Sequence, residues 1–190
     1  MEARYEVPVF INNDANCFAL GEKYFGWGKG VSTMVGLSIG TGLGAGIIIN
    51  DQLYEGLNCG AGEFGIIDYL DQNYEYYASG KFFRDFHHTT GEKVFKQAEM
   101  QGKGAIEVFA EFGKHLGNAI KMILYTHDPQ PVILGGSVSL AYKYYEQTMW
   151  EQVRTFAYPK SLDSFNIRLS KLEHCAIYGA AGLCFKETAY

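Results

Sequence analysis

A glycine-rich centre between two apolar runs, at residues 35–49, limits the possible folds more than any other segment. Apolar residues alternate with small or polar ones on both sides of Gly40-Thr41-Gly42, and this period of two predicts two β-strands joined by a tight turn. Glycine recurs at every second position from Gly40 to Gly46, so backbone N–H groups near the turn can approach an anion, and Thr41 adds a hydroxyl. The segment predicts a phosphate-binding hairpin, with an ordinary glycine-rich turn as the alternative.

Two other phosphate-binding motifs use glycines in similar patterns. No Gly-Lys-Ser/Thr follows the turn, which excludes a P-loop. Gly40, Gly42 and Ala45 satisfy the dinucleotide fingerprint, but that fingerprint opens a helix, whereas Ile47–Ile49 reads as a continuing strand. The hairpin interpretation therefore needs support from the neighbouring segments.

Composition narrows the functional classes. The chain has 190 residues, 47% of them hydrophobic, which predicts one domain over residues 1–190 with a sizeable core. Its formal charge of −5 comes without a basic stripe, so we expect no direct nucleic-acid binding. It shows no long apolar span and no secretory leader, so we expect no membrane contact and a cytoplasmic location.

The four cysteines do not have metal-ligand spacing. Cys17, Cys59, Cys175 and Cys184 form no C-x-x-C pair, and we interpret them as reduced thiols. His87-His88 is an adjacent pair whose side chains point in different directions on a regular element. We therefore predict no metal site.

Strand and helix patterns alternate along the chain, which favours an α/β fold with a mixed sheet flanked by helices. A helix over 105–126 is the clearest element, because apolar residues recur at three-to-four spacing. The remaining predicted elements are strands at 8–12, 131–134 and 166–170, helices at 13–22, 141–157 and 176–186, and a mainly helical segment over 82–101.

Three carboxylates stand out as candidates for site residues. Asp14 follows the predicted strand at 8–12, where it can act as a general base or simply cap a helix. Glu63 is flanked by glycines, and Glu75 lies in a tyrosine-rich stretch. Together with the Asn13 amide, these groups suit the hydroxyls of a polyol, although the spacing alone leaves their convergence open.

Five ordered segments resemble the ROK family of bacterial sugar kinases and sugar-responsive repressors. The segments are Asn12-Asn-Asp-Ala-Asn16, Leu37–Gly46, Ala61-Gly-Glu-Phe-Gly65, Glu75–Gly80 and Pro131–Gly136. They are similar to that family's sugar-site motif, phosphate hairpin, Glu-x-Gly-His motif, Glu-x-x-Ala-Ser-Gly stretch and adenosine-site strand. Gly179-Ala-Ala-Gly182 also suits the family's last helix.

The resemblance implies the actin-like, ribonuclease H-like ATPase fold and phosphorylation of a hexose or N-acetylhexosamine by ATP with Mg²⁺. Asp14 would take the proton of the sugar 6-hydroxyl. The other implied roles are ring-hydroxyl binding by Asn13, Glu63 and Glu75, phosphate binding by Gly40, Thr41 and Gly42, and room for adenosine at Gly135 and Gly136.

The sequence departs from the family pattern in three ways. Ile66 stands where the sugar-binding motif has histidine, and the interval from Ile67 to Tyr74 has none of the cysteines of the family's zinc loop, so we expect no structural zinc. The N-terminal domain with its Asp-x-Gly-Gly-Thr motif has no counterpart. The apolar last helix packs on that domain in the family, so we expect either a homodimer or a separate N-terminal half as partner.

These features leave three functional hypotheses. The first is the large domain of a sugar kinase, incomplete on its own, and the Asn13-Asp14 pair favours it because a binder needs no base. The second is the sugar-sensing part of a repressor, which the loss of histidine and cysteines favours. The third is a noncatalytic dimerising domain.

Overall fold

The predicted hairpin forms the centre of the sheet. In the computed structural model, which describes residues 1–185, β1 (Met34–Ile39) pairs antiparallel with β2 (Leu43–Ile49) around a turn at 40–42. β3 (Gln52–Tyr54) continues antiparallel beyond β2. A tight turn at Asn50-Asp51 separates the two strands, and both residues have a positive φ.

The other strands complete a mixed sheet. β4 (Asp68–Tyr69) and β5 (Gln72–Asn73) form a separate small hairpin. β6 (Pro131–Gly135) pairs parallel with β1, and β7 (Asn166–Leu169) pairs parallel with β6. The sheet order is therefore β3-β2-β1-β6-β7. This mixed sheet confirms the predicted α/β class, and its parallel half brings the carboxyl ends of β1 and β6 to one edge, where ligands bind in α/β sheets.

Helices cover both faces of this sheet. The α-helices are α1 (Glu2–Tyr5), α2 (Asp14–Phe25), α3 (Tyr74–Ala78), α4 (Gly91–Glu99), α5 (Lys103–His127), α6 (Tyr142–Val153) and α7 (Cys175–Gly182). Short 3₁₀ segments lie at Phe64–Ile66, Ser137–Ala141 and Pro159–Asp163, and a π-helical turn lies at Phe82–Phe86. Among the described residues, no helix is long and apolar enough to cross a membrane.

Alternate residues of the strands supply two separate cores. Val35, Leu37 and Ile39 face the layer of α5 and α6, where Phe112 and Leu116 are completely buried. Residues of the opposite parity face the layer of α2 and α7, and this second core includes Met34, Ile48, Ile133, Phe18 and Leu20. The alternation that predicted the strands is thus the alternation between two packed faces.

The later glycines of the hairpin have a different role from the predicted one. A Cβ at Gly46 would lie 2.6 Å from the Ala15 carbonyl oxygen and from the Ala19 Cβ, and a Cβ at Gly44 would lie 3.0 Å from the Ala15 Cβ. These glycines lie within β2, not at the turn, and they let α2 approach the sheet. Their value is therefore close packing of the helix that begins at Asp14.

The strand predicted at 8–12 is wrong. Residues 7–13 have no regular secondary structure, and Ile11 is 86% exposed. Within the described residues the sheet ends at β3 and β7, and the run at 8–12 pairs with neither of these edge strands. Asp14 consequently does not follow a strand, although it still reaches the sheet edge as the first residue of α2.

Several element boundaries differ from the sequence predictions. α6 ends at Val153, four residues early, and its predicted start is a 3₁₀ turn. α7 ends at Gly182 and continues as a 3₁₀ turn, while Lys186 lies outside the described residues. All four cysteines are free thiols as predicted, with Cys17 and Cys175 buried.

Candidate functional site

Asp14 is placed at the start of α2 by an asparagine cap. Asn13 has extended backbone angles, and its Oδ1 accepts a hydrogen bond from the Asn16 amide at 2.7 Å. The cap ends the irregular segment and begins the helix, so the exposed Asp14 carboxylate lies beside the positive end of the helix dipole. The Asp14 carboxylate therefore faces solvent at the start of the helix.

Two clefts meet at Asp14. The hairpin cleft, of about 300 Å³, is lined by Asn13, Asp14, Ala15, Ser38, residues 40–44, Glu63 and Glu75. The β6 cleft, of about 440 Å³, is lined by Asp14, Phe18, Ser38, Gly135, Gly136, Ser139, Leu140, Ser170, Leu172 and residues 174–177. Asp14 and Ser38 line both. The structure thus brings every predicted site residue into one of two adjoining clefts.

The turn of the hairpin is held from behind by residues 79–80. The Gly80 amide donates to the Gly40 carbonyl at 2.7 Å, and the Ser79 hydroxyl lies 3.2 Å from the Thr41 carbonyl. A Cβ at Gly80 would lie 2.7 Å from the Gly40 oxygen, so glycine is required for this approach. Two carbonyls of the turn are therefore anchored away from the cleft, while Thr41 is exposed.

Glu75 is bound to the hairpin and to a lysine. Its Oε2 accepts from the Leu43 amide at 3.0 Å, and its Oε1 lies 2.5 Å from the Lys81 ammonium nitrogen. Burial raises the pKa of the Glu75 carboxyl, but the Lys81 ammonium and the Leu43 amide outweigh it and hold the pKa below its usual value. Sequence reasoning missed Lys81, although its position directly after the Glu75–Gly80 motif was an available signal.

Glu63 also lines the hairpin cleft. Gly62 before it has φ +92°, and a Cβ there would lie 2.2 Å from the Ala45 carbonyl oxygen. The glycine therefore lets this loop run against β2 and present an exposed Glu63 at the rim. Ile66, which replaces the family's histidine, is 58% exposed in the following 3₁₀ turn.

An asparagine network supports Asn13 from below. Asn12 Oδ1 accepts a hydrogen bond from the side-chain Nδ2 of Asn16 at 2.8 Å, and Asn12 Nδ2 donates to the Glu55 carboxylate. Asn13 Nδ2 in turn points to the Cys59 carbonyl at 3.4 Å. These contacts tie the loop after β3 to the start of α2. No pattern in the sequence pointed to Glu55, because the pairing spans 43 residues.

Close packing requires glycine at the two positions that line the β6 cleft, Gly135 and Gly136. A Cβ at Gly135 would lie 2.4 Å from the Phe18 ring, and one at Gly136, where φ is +84°, would lie 2.4 Å from the Ile39 carbonyl oxygen. Both residues line the cleft as predicted. Their missing side chains, however, accommodate α2 and β1, so the glycines alone do not demonstrate a nucleotide site.

Neither cleft carries a fixed positive charge. Among residues 1–185, no lysine or arginine lines either cleft, whereas Asp14, Glu63 and Glu75 line the hairpin cleft. Within the same residues, no group of three or more His, Cys, Asp or Glu side chains is placed to hold a metal ion. The site is acidic and suits neutral, hydroxyl-bearing ligands better than unaccompanied anions.

Sequence comparison identifies the lineage of this site. The profile of the ROK family matches residues 1–187. The chain belongs to the ROK family. The resemblance inferred from the five ordered motifs is therefore confirmed.

ROK relatives of both functional kinds are similar to this chain. The xylose repressor of Bacillus spizizenii is 33% identical over 187 residues, covering 90% of this chain and 49% of the repressor. The glucokinase of Halalkalibacterium halodurans is 27% identical over 218 residues, covering 98% of this chain and 66% of the glucokinase. The chain thus spans about half of one relative and about two thirds of the other.

A solved ROK structure shares the fold. The ROK family glucokinase from Streptomyces griseus, in complex with glucose and AMPPNP, superposes with a TM-score of 0.82 at 25% identity, covering 96% of this chain and 70% of the glucokinase chain. The actin-like, ribonuclease H-like fold expected from the motifs is confirmed. A sugar kinase-like or repressor domain is the function class that these relatives support.

Proposed function

We propose that this chain is the large domain of a ROK sugar kinase, which phosphorylates the 6-hydroxyl of a hexose or N-acetylhexosamine with ATP. The observation that carries the proposal is that Asp14 lies where the hairpin cleft and the β6 cleft meet. A base at the junction of two binding clefts is placed to act on a group from each. A purely structural cap would not need to face both.

The sugar would occupy the hairpin cleft. Asn13 and Glu63 line it on two sides and offer an amide and a carboxylate to ring hydroxyls. The Glu75 carboxylate already accepts two hydrogen bonds, and its remaining lone pairs can accept a sugar hydroxyl. Asp14 would accept the proton of the 6-hydroxyl as that oxygen attacks the transferred phosphoryl group.

The adenosine would occupy the β6 cleft against Gly135 and Gly136, and the 440 Å³ of this cleft is in the range of small-molecule sites. The phosphates would reach past Asp14 into the hairpin cleft, where Gly40, Thr41 and Gly42 would face them. Bound ATP with Mg²⁺ supplies the phosphoryl group and the cation that neutralises its charge. Because the lining is acidic, the phosphates need such a cation. A second domain would supply further hydrogen-bond donors, and its closure would exclude water, which half a cleft does not.

Sugar binding is the first test of this proposal. We expect calorimetry to give saturable binding of one sugar among glucose, mannose, fructose, N-acetylglucosamine and N-acetylmannosamine. Glu63→Gln should weaken that binding by about tenfold or more, because a hydrogen bond to a charged group contributes about 1.5–3 kcal/mol. Glu92→Gln, on the exposed face of α4, is the matched control and should bind like the native chain.

A failure to bind any of these sugars at millimolar concentration would reject a working sugar site in this chain. Binding that is equally strong in Glu63→Gln would reject the assignment of Glu63.

The repressor hypothesis remains the second candidate. The 33% identity to a xylose repressor and the isoleucine at position 66 favour it. The two hypotheses differ at Asp14. With an N-terminal half supplied, a kinase should release ADP when sugar and MgATP are present and lose this activity in Asp14→Asn while still binding sugar. Sugar binding without ADP release in that complemented assay would favour the sensor instead.

A further inference from the structure

The ion pair between Lys81 and Glu75 joins a residue that lines the hairpin cleft to one that does not. Glu75 lines the hairpin cleft, whereas Lys81 is outside its lining. The ammonium nitrogen lies 2.5 Å from Oε1, while Oε2 accepts a hydrogen bond from the Leu43 amide. The Glu75 side chain is 17% exposed, so little water remains to solvate its charge.

We propose that Lys81 is a positioning residue, whose ammonium group keeps Glu75 ionised and directed at the Leu43 amide. The sugar-binding wall of the cleft, at Glu75, is thereby held to the phosphate-binding wall, at the hairpin. This inference rests on the proposed function for its ligand, a neutral sugar in the hairpin cleft. Its charge and geometry arguments concern the chain alone.

The backbone around Lys81 makes the same connection. Its amide donates to the Ser79 hydroxyl at 3.1 Å, and that hydroxyl lies 2.6 Å from the Glu75 carbonyl and 3.2 Å from the Thr41 carbonyl. Gly80, next in the chain, holds the Gly40 carbonyl. Residues 79–81 thus contact both Glu75 and the hairpin turn, and Lys81 adds the charge to this link.

The charged surroundings of Glu75 make Lys81 decisive. The other carboxylates that line the hairpin cleft are those of Asp14 and Glu63. On α5, His115 contacts Tyr69 and Tyr77 and has Glu111 and Lys114 near it, and Asp71 accepts from Tyr77. The pKa of the Asp85 carboxyl is lowered mainly by its partner Arg84 and to a smaller extent by Lys81. Among the described residues, Lys81 is therefore the cation that opposes burial of the Glu75 charge, and without it the pKa of Glu75 would rise.

The experiment compares Lys81→Met with Lys81→Arg and with a matched control, Lys96→Met. Lys96 pairs with Glu92 at 2.6 Å within one exposed helix, far along the chain from the cleft, so its removal deletes a similar ion pair without touching the site. Two readouts are needed. Carboxyl ¹³C NMR, assigned through Glu75→Gln, follows the titration of Glu75, and calorimetry from pH 5 to pH 8 follows the affinity for the sugar that the native chain binds.

We expect Lys81→Met to move the Glu75 titration to higher pH. Sugar binding should then weaken by about tenfold at the acidic end of the range and recover toward pH 8. Lys81→Arg should restore both readouts, and Lys96→Met should change neither.

An unchanged Glu75 titration in Lys81→Met overturns the inference, as does an affinity loss that is the same at every pH, which indicates a merely structural role. If the native chain binds no sugar, the proposed function fails, and the NMR titration alone still decides whether Lys81 holds Glu75 ionised.

Discussion

Asp14 and Glu75, two of the carboxylates that line the hairpin cleft, are held in different ways. Asp14 is exposed at the start of α2, and among residues 1–185 no side chain forms a hydrogen bond or ion pair with its carboxylate. Glu75 is held at both oxygens by the Leu43 amide and the Lys81 ammonium group. A proton acceptor must exchange protons with a ligand, whereas a ligand-orienting group benefits from fixed geometry. The assignment of base to Asp14 and of hydroxyl binder to Glu75 fits these environments and remains a proposal.

A half-buried histidine near the small β4–β5 hairpin leads to a prediction about acid stability. His115 Nδ1 lies 3.2 Å from the Tyr69 hydroxyl, and its ring packs at 4.9 Å from that of Tyr77. Burial lowers the pKa of His115, so the unfolded chain binds its proton at a higher pH than the folded chain. Its contribution to stability is therefore fully present above the unfolded pKa of about 6.5 and is lost as the pH falls below it.

We expect the unfolding free energy of His115→Gln to depend less steeply on pH between about 5 and 6.5 than that of the native chain. Urea unfolding at a series of pH values measures this slope. His88→Gln, at an exposed position, serves as the control. An identical slope in His115→Gln and the native chain would show that this group does not sense acid.

At the scale of elements, the contact of α2 with β2 sets the position of Asp14. Ala15 and Ala19 on the helix meet Gly44 and Gly46 on the strand, and small residues on both sides bring the backbones close. We expect Gly46→Ala to destabilise the chain by about 1–3 kcal/mol, because the added methyl overlaps the Ala15 carbonyl and Ala19.

Gly104→Ala is the comparison for this packing prediction. Nothing lies within 4 Å of a Cβ at this exposed position in the first turn of α5, so the substitution should be neutral or stabilise the chain by up to about 1 kcal/mol. Urea unfolding of both variants measures the difference. Equal effects of the two substitutions would contradict the close-packing role of the β2 glycines.

At the scale of the whole molecule, an aromatic patch joins α2 to α7. The patch comprises Phe25, Ile177, Tyr178 and Phe185, and its exposed fractions run from 38% for Phe25 to 68% for Ile177. Phe25 contacts the other two rings at 5.7 and 6.3 Å. Leu183, between these exposed residues in the chain, is buried.

We expect this patch to support the homodimer proposed from the sequence, because apolar surface favours association. Sedimentation velocity should show a monomer–dimer equilibrium in the native chain that shifts to monomer in Ile177→Lys/Tyr178→Lys. Lys93→Met/Glu99→Gln, on exposed positions of α4, is a double variant that should leave the equilibrium unchanged. A native chain that stays monomeric at high concentration would contradict the proposal.

Local patterns predicted much of this fold. Period-two alternation located β1 and β2, three-to-four spacing located α5, and the order of the five motifs identified the ROK family. The apolar run at 8–12 failed because strand formation depends on a neighbouring strand, which a local pattern does not report. The glycines at 44 and 46 were assigned to the wrong task for a similar reason, since the helix they contact lies almost 30 residues earlier.

The sequence by itself was sufficient to identify the ROK lineage, to predict the α/β class and to select the candidate side chains. Each of these depends on short motifs and their spacing. The convergence of Asp14, Glu63 and Glu75 on one cleft, the hold of residues 79–80 on the hairpin, and the Lys81–Glu75–Leu43 contacts came from the folded structure. These are contacts between segments up to about 60 residues apart. Hydrogen bonds and charges act over a few ångströms, so their partners are settled by packing and not by position in the sequence.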